Sequence, residues 1–252
     1  MKLMSNTVTS ISVVIPVFNE ADSIPPLMEE LHAVMEELGM DYEILFVDDG
    51  STDSTPSRLA EAKQRYPRLR SLRHQICSGQ SAALRSGAAA AAHPWIVTLD
   101  GDGQNDPADI PFLIAAFTPT TNGAPPLVTG VRRKRQDSLF KRLCSRTANA
   151  VRRALLRDGT PDTGCSLKLF ARETFLALPY FDHMHRFLAA LFIDQGSAII
   201  LVDVNHRPRQ TGISKYGLGN RFGTGIIDLA GVWWLLKRGN KPVIEPEEYD
   251  ND

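Results

Sequence analysis

The stretch Leu99-Asp-Gly-Asp-Gly-Gln-Asn-Asp106 sets three carboxylates within seven residues, at the end of the apolar run Trp95–Leu99. Asp100 and Asp102 are two apart, so in extended chain they share a face. Gly101 and Gly103 permit turning and close backbone approach. Two hard oxygen donors with room for water suit Mg²⁺ or Mn²⁺ held jointly with a diphosphate. Such an ion offsets charge on a departing diphosphate. Gln104 can add a ligand or orient one. The plainer alternative is a loop turn that caps the following helix, and Asp106, which precedes Pro107, is read that way.

A second acidic string, Asp48-Asp49-Gly50-Ser51, admits a similar choice. Its carboxylates can accept hydrogen bonds from a ribose or a base, or form a turn into a capped helix. Asp53 reads as a cap or turn residue. Positive charge follows later in the chain. Residues 132–157 hold ten Lys or Arg and one acid, starting with Arg132 at a strand end, and Arg207, Arg209, Ser214 and Lys215 follow in "NHRPRQTGISKYG". Guanidinium groups bind phosphate through paired hydrogen bonds, whereas lysine acts as a point charge. Most of Arg133, Lys134, Arg135, Arg152 and Arg153 are expected to form a solvated helix face. A hydroxyl acceptor would need a general base, for which Asp162 in "PDTGCSLKLF" is the candidate; "DTG" also reads as a turn.

The elements that position these groups alternate. Ile11–Phe18, Tyr42–Val47, Leu69–Arg73 and Trp95–Leu99 are predicted strands. Helices are predicted over Ile24–Leu38, Ser54–Arg65 and Gly79–Ala92, and from Pro107 to Phe117. Further on come strands at Val128–Val131, Ser166–Phe170 and Ala198–Val204, and helices at Asp137–Arg157, Arg186–Asp194 and Phe222–Leu236. This alternation implies an α/β fold with a mostly parallel sheet flanked by helices. Ligands then bind at the carboxyl ends of the strands, where Asn19-Glu20, Asp48-Asp49 and Asp100-Asp102 are expected to converge.

The net charge of −1 conceals segregation: residues 1–131 carry 16 acidic and 8 basic side chains, and residues 132–221 carry 7 and 17. An acidic half against a basic one invites an anionic ligand. Three cysteines (Cys77, Cys144, Cys165) form no paired framework and fit a reducing compartment. No signal-peptide pattern is read. The apolar run Gly225–Leu236, broken by Asp228, spans about 18 Å as a helix, too short for a ~30 Å hydrocarbon core. Trp233 and Trp234 beside Lys237, Arg238 and Lys241 suit a headgroup boundary; an ordinary core helix, or pairing with a second copy in a homo-oligomer, are the alternatives. The residues after Pro246 read as a disordered acidic tail.

"VVIPVFNE", "YEILFVDDGSTDST", "SGQSAALRSG" and "IVTLDGDGQNDP", in that order and spacing, resemble glycosyltransferase family 2, the inverting GT-A (Rossmann-like) fold, over roughly residues 10–220. Within it the chain resembles the dolichyl/polyprenyl-phosphate mannose synthase branch. The resemblance implies a GT-A domain over 1–221, with a nucleotide-sugar half of about 10–131 and an acceptor half of about 132–221. The apolar helix 222–241 and the tail 242–252 follow. It implies transfer of sugar from a GDP- or UDP-linked donor to a polyprenyl phosphate, with Mg²⁺ or Mn²⁺. By the same resemblance Pro16, Phe18, Glu20, Val47 and Asp49 line the nucleotide, and Asp100, Gly101, Asp102 and Gln104 form the metal and diphosphate motif. Arg132, Arg209 and Lys215 match phosphate ligands, Arg146 matches an acceptor-phosphate position, and Ser214 supplies a hydroxyl donor there. Asp100, Asp102 and Arg132 carry the catalysis. His185 and Arg186 resemble a segment near the acceptor, where the His orients a loop or touches substrate. Ile76-Cys77-Ser78 departs from relatives that carry Asn near this glycine. Many relatives carry membrane helices after the catalytic domain, so docking falls here to the apolar helix or a membrane-protein partner. The implied location is cytoplasmic, peripheral on the cytoplasmic face of a membrane, with no nucleic-acid partner. Transfer to a saccharide or lipid hydroxyl, and a non-catalytic nucleotide-sugar-binding subunit, are the rival readings.

Overall fold

The computed structural model describes residues 7–119, 124–132, 152–208 and 220–239. The expected helix over 137–157 is described only at 152–156. Arg146, Arg209, Ser214, Lys215 and the tail after Pro246 lie outside the described residues.

Seven strands form one sheet in the order β3-β2-β1-β4-β6-β5-β7. They are β1 (Ser10–Val17), β2 (Asp41–Asp48), β3 (Leu69–Arg73), β4 (Trp95–Thr98), β5 (Leu127–Arg132), β6 (Lys168–Ala171) and β7 (Ile199–Val204). All neighbouring pairs are parallel except those of β6, which runs antiparallel between β4 and β5. The mostly parallel α/β expectation holds, and both halves of the chain contribute to one sheet.

The helices are α1 (Ile24–Leu38), α2 (Thr55–Arg65), α3 (Gln80–Ala90), α4 (Ile110–Ala116), α5 (Arg172–Ala177), α6 (Leu188–Asp194) and α7 (Asn220–Arg238), with single 3₁₀ turns at Pro107–Asp109 and Met184–Arg186. Side chains alternate across a strand, so β1 feeds two cores. Val13, Ile15 and Val17 join Leu27, Met28 and Leu31 of α1 on one face. Val14 joins Leu45, Val47 and the Ala83 and Ala88 of α3 on the other. Leu188–Phe192 of α6 and Val232 of α7 close the second core. Small side chains let α3 lie close to the sheet. Its N-terminus thereby reaches the end of β4. The short α5, which follows β6 directly, was not read from sequence.

Candidate active site

The three acidic strand ends meet as expected. β1 and β2 pair in register at Pro16 with Val47 and Val17 with Asp48, and β4 joins β1 from the other side. The Asp49 N–H donates to the Val17 carbonyl at 2.8 Å. At Gly101 a Cβ would lie 2.3 Å from Val17 Cγ1, so only glycine lets the acidic turn press against the end of β1.

A cavity of about 410 Å³ opens beside this edge, a size that suits a small ligand. Pro16, Gln80 and Asp100 form one side; Gly164, Cys165, Ser166 and Lys168 form the other; Asp182, His183, His185 and Arg186 close the end. Asp100 accepts a 2.8 Å hydrogen bond from Gln80 Nε2. Burial and the neighbouring Asp102 carboxylate hold the Asp100 pKa above its ordinary value, against Ser166, Lys168 and Arg132. This strain between two carboxylates is the kind a divalent cation relieves. Among the described residues no three His, Cys, Asp or Glu side chains gather as a metal site. Two carboxylates in one turn suit an ion that would take its remaining ligands from water and a substrate diphosphate. Gln104 lies in the same turn; its N–H donates to Asp102 Oδ1 at 3.1 Å and its carbonyl accepts from Arg207. Asp106 caps the 3₁₀ turn as expected, accepting from the Ala108 N–H. Asp53 likewise accepts from the Thr55 N–H at 2.9 Å.

Asp49 has a denser environment than its motif suggested. It is 4% exposed. Its Oδ1 accepts from the Ser78 N–H and lies 2.7 Å from His74 Nδ1. Its Oδ2 accepts from the Gly79 N–H and the Cys77 thiol. These bonds hold the carboxyl below its usual range despite burial, which acts oppositely. His74 Nε2 in turn meets Ser86 Oγ at 2.9 Å. Ser86 lies inside α3, where neighbouring N–H groups are spent within the helix. The row of Asp, His and Ser thus helps hold loop 76–79 in place. Loop 76–79 can lie against Gly50 because that residue has φ +75° and no Cβ; one would fall 2.8 Å from Cys77 N.

The other nucleotide-side residues divide. Pro16 lines the cavity. Glu20 sits in a segment stitched to the β2–α2 turn, its N–H donating to Thr55 Oγ1 at 3.0 Å, while Phe18 is half-buried at the end of β1. Val47 is fully buried in the second core, so its side chain packs against α3 and not into the cavity.

On the cationic side, Arg132 Nε donates to Asp162 Oδ2 at 2.7 Å and Nη2 to Oδ1 at 2.8 Å. Burial lowers the Arg132 pKa, but this pair and Asp100 outweigh it and raise the value. Asp162, the candidate base, thus has both oxygens committed to Arg132, and residues 163–164 form the turn. Arg152, grouped with its neighbours in the expected solvated face, is buried instead. It is 7% exposed, pairs with Asp158 at 2.8 Å and reaches the Thr160 carbonyl and Thr163 hydroxyl, which orders the loop that carries Asp162.

Lys168, Ser81 and Asn105 were not singled out from sequence. Lys168 is 5% exposed, bonds the Cys165 carbonyl and has its pKa lowered by burial. A charge within the strand motif "LKLF" was the available signal. Asn105 Oδ1 accepts from the Asp100 N–H at 3.0 Å and from Ser166 Oγ at 2.9 Å, tying the acidic turn to the approach to β6. His185 Nδ1 lies 2.8 Å from Ser81 Oγ. His183 Nδ1 lies 3.0 Å from Asp228 Oδ2, which links α7 to the cavity wall.

Residues 12–176 match the family model described as Glycosyl transferase family 2. This chain belongs to glycosyl transferase family 2. Among curated relatives, it is 34% identical over 239 residues to dodecaprenyl-phosphate galacturonate synthase of Rhizobium johnstonii, covering 92% of this chain and 69% of that protein. It is 34% identical over 219 residues to undecaprenyl-phosphate 4-deoxy-4-formamido-L-arabinose transferase of Pectobacterium carotovorum, covering 84% of this chain and 64% of that protein. Solved structures share the fold. Mannosyl-3-phosphoglycerate synthase from Rubrobacter xylanophilus superposes with TM-score 0.71 at 16% identity, over 94% of this chain and 78% of that one. Glucosyl-3-phosphoglycerate synthase from Mycobacterium tuberculosis, in complex with Mn²⁺, UDP and glucosyl-3-phosphoglycerate, does so with TM-score 0.68 at 20% identity, over 90% and 79%. The sheet is therefore of the GT-A kind expected. The glycosyl transferase family 2 match ends within α5, so the cavity wall at Asp182–Arg186 and all of α7 lie beyond it.

Proposed function

We propose that the protein transfers a sugar from a nucleotide-sugar donor to the phosphate of a polyprenyl lipid, with inversion at the anomeric carbon. The observation that carries this reading is the Arg132–Asp162 pair. A hydroxyl acceptor needs a base to take its proton, and Asp162 is committed through both oxygens to a guanidinium. A phosphate acceptor is already anionic and needs cations in place of a base. The pair leaves Arg132 Nη1 without a protein partner among the described residues and fixes the plane in which it can meet a phosphate oxygen. The names of the curated relatives, both acting on polyprenyl phosphates, support the same class.

In this reading an oxygen of the lipid phosphate attacks the anomeric carbon as the bond to the donor's diphosphate breaks. Pro16, Phe18, Glu20 and Asp49 border the nucleotide within the half formed by residues 10–131, Asp49 by fixing loop 76–79. Gly101 brings the acidic turn to the diphosphate. Arg132 and Lys168 offset charge gathered at the end of β4, and the same role is assigned to Arg146, Arg209 and Lys215 of the acceptor half, with Ser214 as a hydroxyl donor to the phosphate; these four lie outside the described residues. Asp100 and Asp102, with Gln104 beside them, would hold Mg²⁺ or Mn²⁺, which when bound supplies Lewis-acid stabilisation of the leaving nucleoside diphosphate. Positioning and electrostatics provide most of the rate.

The acceptor lies in a membrane, and no helix among the described residues is long and apolar enough to cross one. Peripheral contact at the cytoplasmic face falls to α7. Ile226, Ile227, Trp233 and Trp234 are exposed along it, and Lys237 and Arg238 complete its last turn. The test supplies purified protein with Mn²⁺, short polyprenyl phosphates and a panel of labelled UDP- and GDP-sugars. An acid-labile lipid product is expected. Label passing only to saccharide hydroxyls would refute the proposal.

A further inference from the structure

The cavity end formed by the segment from Asp182 to Arg186 is placed near the acceptor only by resemblance, and its chemistry differs from the phosphate side. Ser81 is fully buried at the start of α3 and accepts the His185 N–H at 3.3 Å. A buried hydroxyl proton needs an acceptor. Among the described residues the acceptor within reach of Ser81 is His185 Nδ1, at 2.8 Å. With Nδ1 accepting, the ring proton sits on Nε2. The ring lines the same cavity as Asp100, Gln80 and Asp182. We propose that His185 is a fixed neutral donor whose Nε2–H binds a hydroxyl or ring substituent of the transferred sugar, with Ser81 locking its tautomer and orientation. The inference rests on the transferase reading and deepens it by naming the subsite that grips the sugar. Amide and imidazole donors interleaved with carboxylate acceptors suit hydroxyl groups, which both donate and accept; bare phosphate is met instead by Arg132. Burial pushes the His185 pKa down to about 3, assisted by Arg186, Lys168 and His183. Asp100, at the end of β4, and Asp182, in the same segment as His185, also face the cavity and do not overcome that effect, so the ring stays neutral through the working range.

The test is calorimetry with Mn²⁺ on the full chain, comparing UDP-glucose, UDP-glucuronate and GDP-mannose with UDP and GDP alone. In His185→Phe the nucleotide sugar that binds wild type best is expected to bind about tenfold more weakly, while its nucleoside diphosphate changes less than twofold. His185→Gln, which keeps an N–H donor, is expected to recover most of the loss and also controls for folding. Equal weakening of sugar and diphosphate in both variants would overturn the proposal, as would loss of a limb from the pH profile of kcat/KM in His185→Gln. Binding is read without an acceptor, so failure of wild type to glycosylate polyprenyl phosphate would count against the transferase reading alone.

Discussion

Replacing Asp162 with Asn separates two roles that the same carboxylate could fill. Its side chain is 7% exposed and that of Arg132 14%, and two hydrogen bonds below 2.9 Å join them. Removing one partner of a buried pair leaves the other charge uncompensated, at about 3–5 kcal/mol. The Asn carbonyl retains one bond and Arg132 still feels Asp100, so the lower end, about 3 kcal/mol, is expected. For a chain of this length that is a fall in Tm of about 6–12 °C. Turnover should fall chiefly through KM for polyprenyl phosphate, because Arg132 loses its orientation, while the shape of the pH–rate profile is retained. Thermal unfolding and steady-state kinetics against both substrates read the two effects. A Tm within a degree of wild type, with kcat down about a hundredfold or more and the acidic limb of the profile gone, would be the signature of a general base. That result would refute the anchoring argument and return the hydroxyl-acceptor reading.

Four further outcomes follow from the same geometry. Lys168→Met removes a cation that favours ionised Asp100, so the acidic limb of kcat/KM should move to higher pH; an unmoved limb would show that the two groups do not communicate. Asn105→Ala removes the acceptor for the Asp100 N–H and Ser166 Oγ, and Mn²⁺-dependent UDP binding should weaken about tenfold, as expected for about 1.4 kcal/mol lost with a positioning bond. Glu43, 5% exposed, accepts from Ser12, the Ala92 N–H and Arg70; burial would raise its pKa, but these bonds prevail and lower it. A depressed carboxylate contributes stability present above its unfolded pKa and lost as pH falls through the folded one. Glu43→Gln should therefore cost about 2 kcal/mol at pH 7 and flatten the acid side of a stability–pH curve measured by urea unfolding. Replacing Trp233 and Trp234 with Ala should reduce cosedimentation with anionic vesicles while leaving UDP binding unchanged; undiminished cosedimentation would remove α7 from the docking surface.

The strands that carry the acidic ends were legible because their signals are local. "ISVVIPVF" and "YEILFV" are apolar, β-branched runs bounded by turn residues, and β1 and β2 each differ from the expected bounds by one residue at either end. Asp106 before Pro107 announced its cap, and the spacing of Asp100 and Asp102 announced their crowding. The helix over Ile24–Leu38 follows from its apolar period and the glycine after it.

What needed the tertiary structure is what the chain does when it folds back on itself. Local periodicity tells which face of an element is buried, not which distant residue covers it. The antiparallel insertion of β6 between β4 and β5 depends on pairings across about seventy residues of chain to β4 and about forty to β5. Asp162 stands thirty residues from Arg132, and Ser81 is one hundred and four from His185. Composition marked Asp162 as a possible base and Arg152 as solvated. Only the packed fold, by bringing a guanidinium to one and enclosing the other, decided that the first is an anchor and the second a buried brace, because the state of a charge is set by neighbours gathered through space and not along sequence.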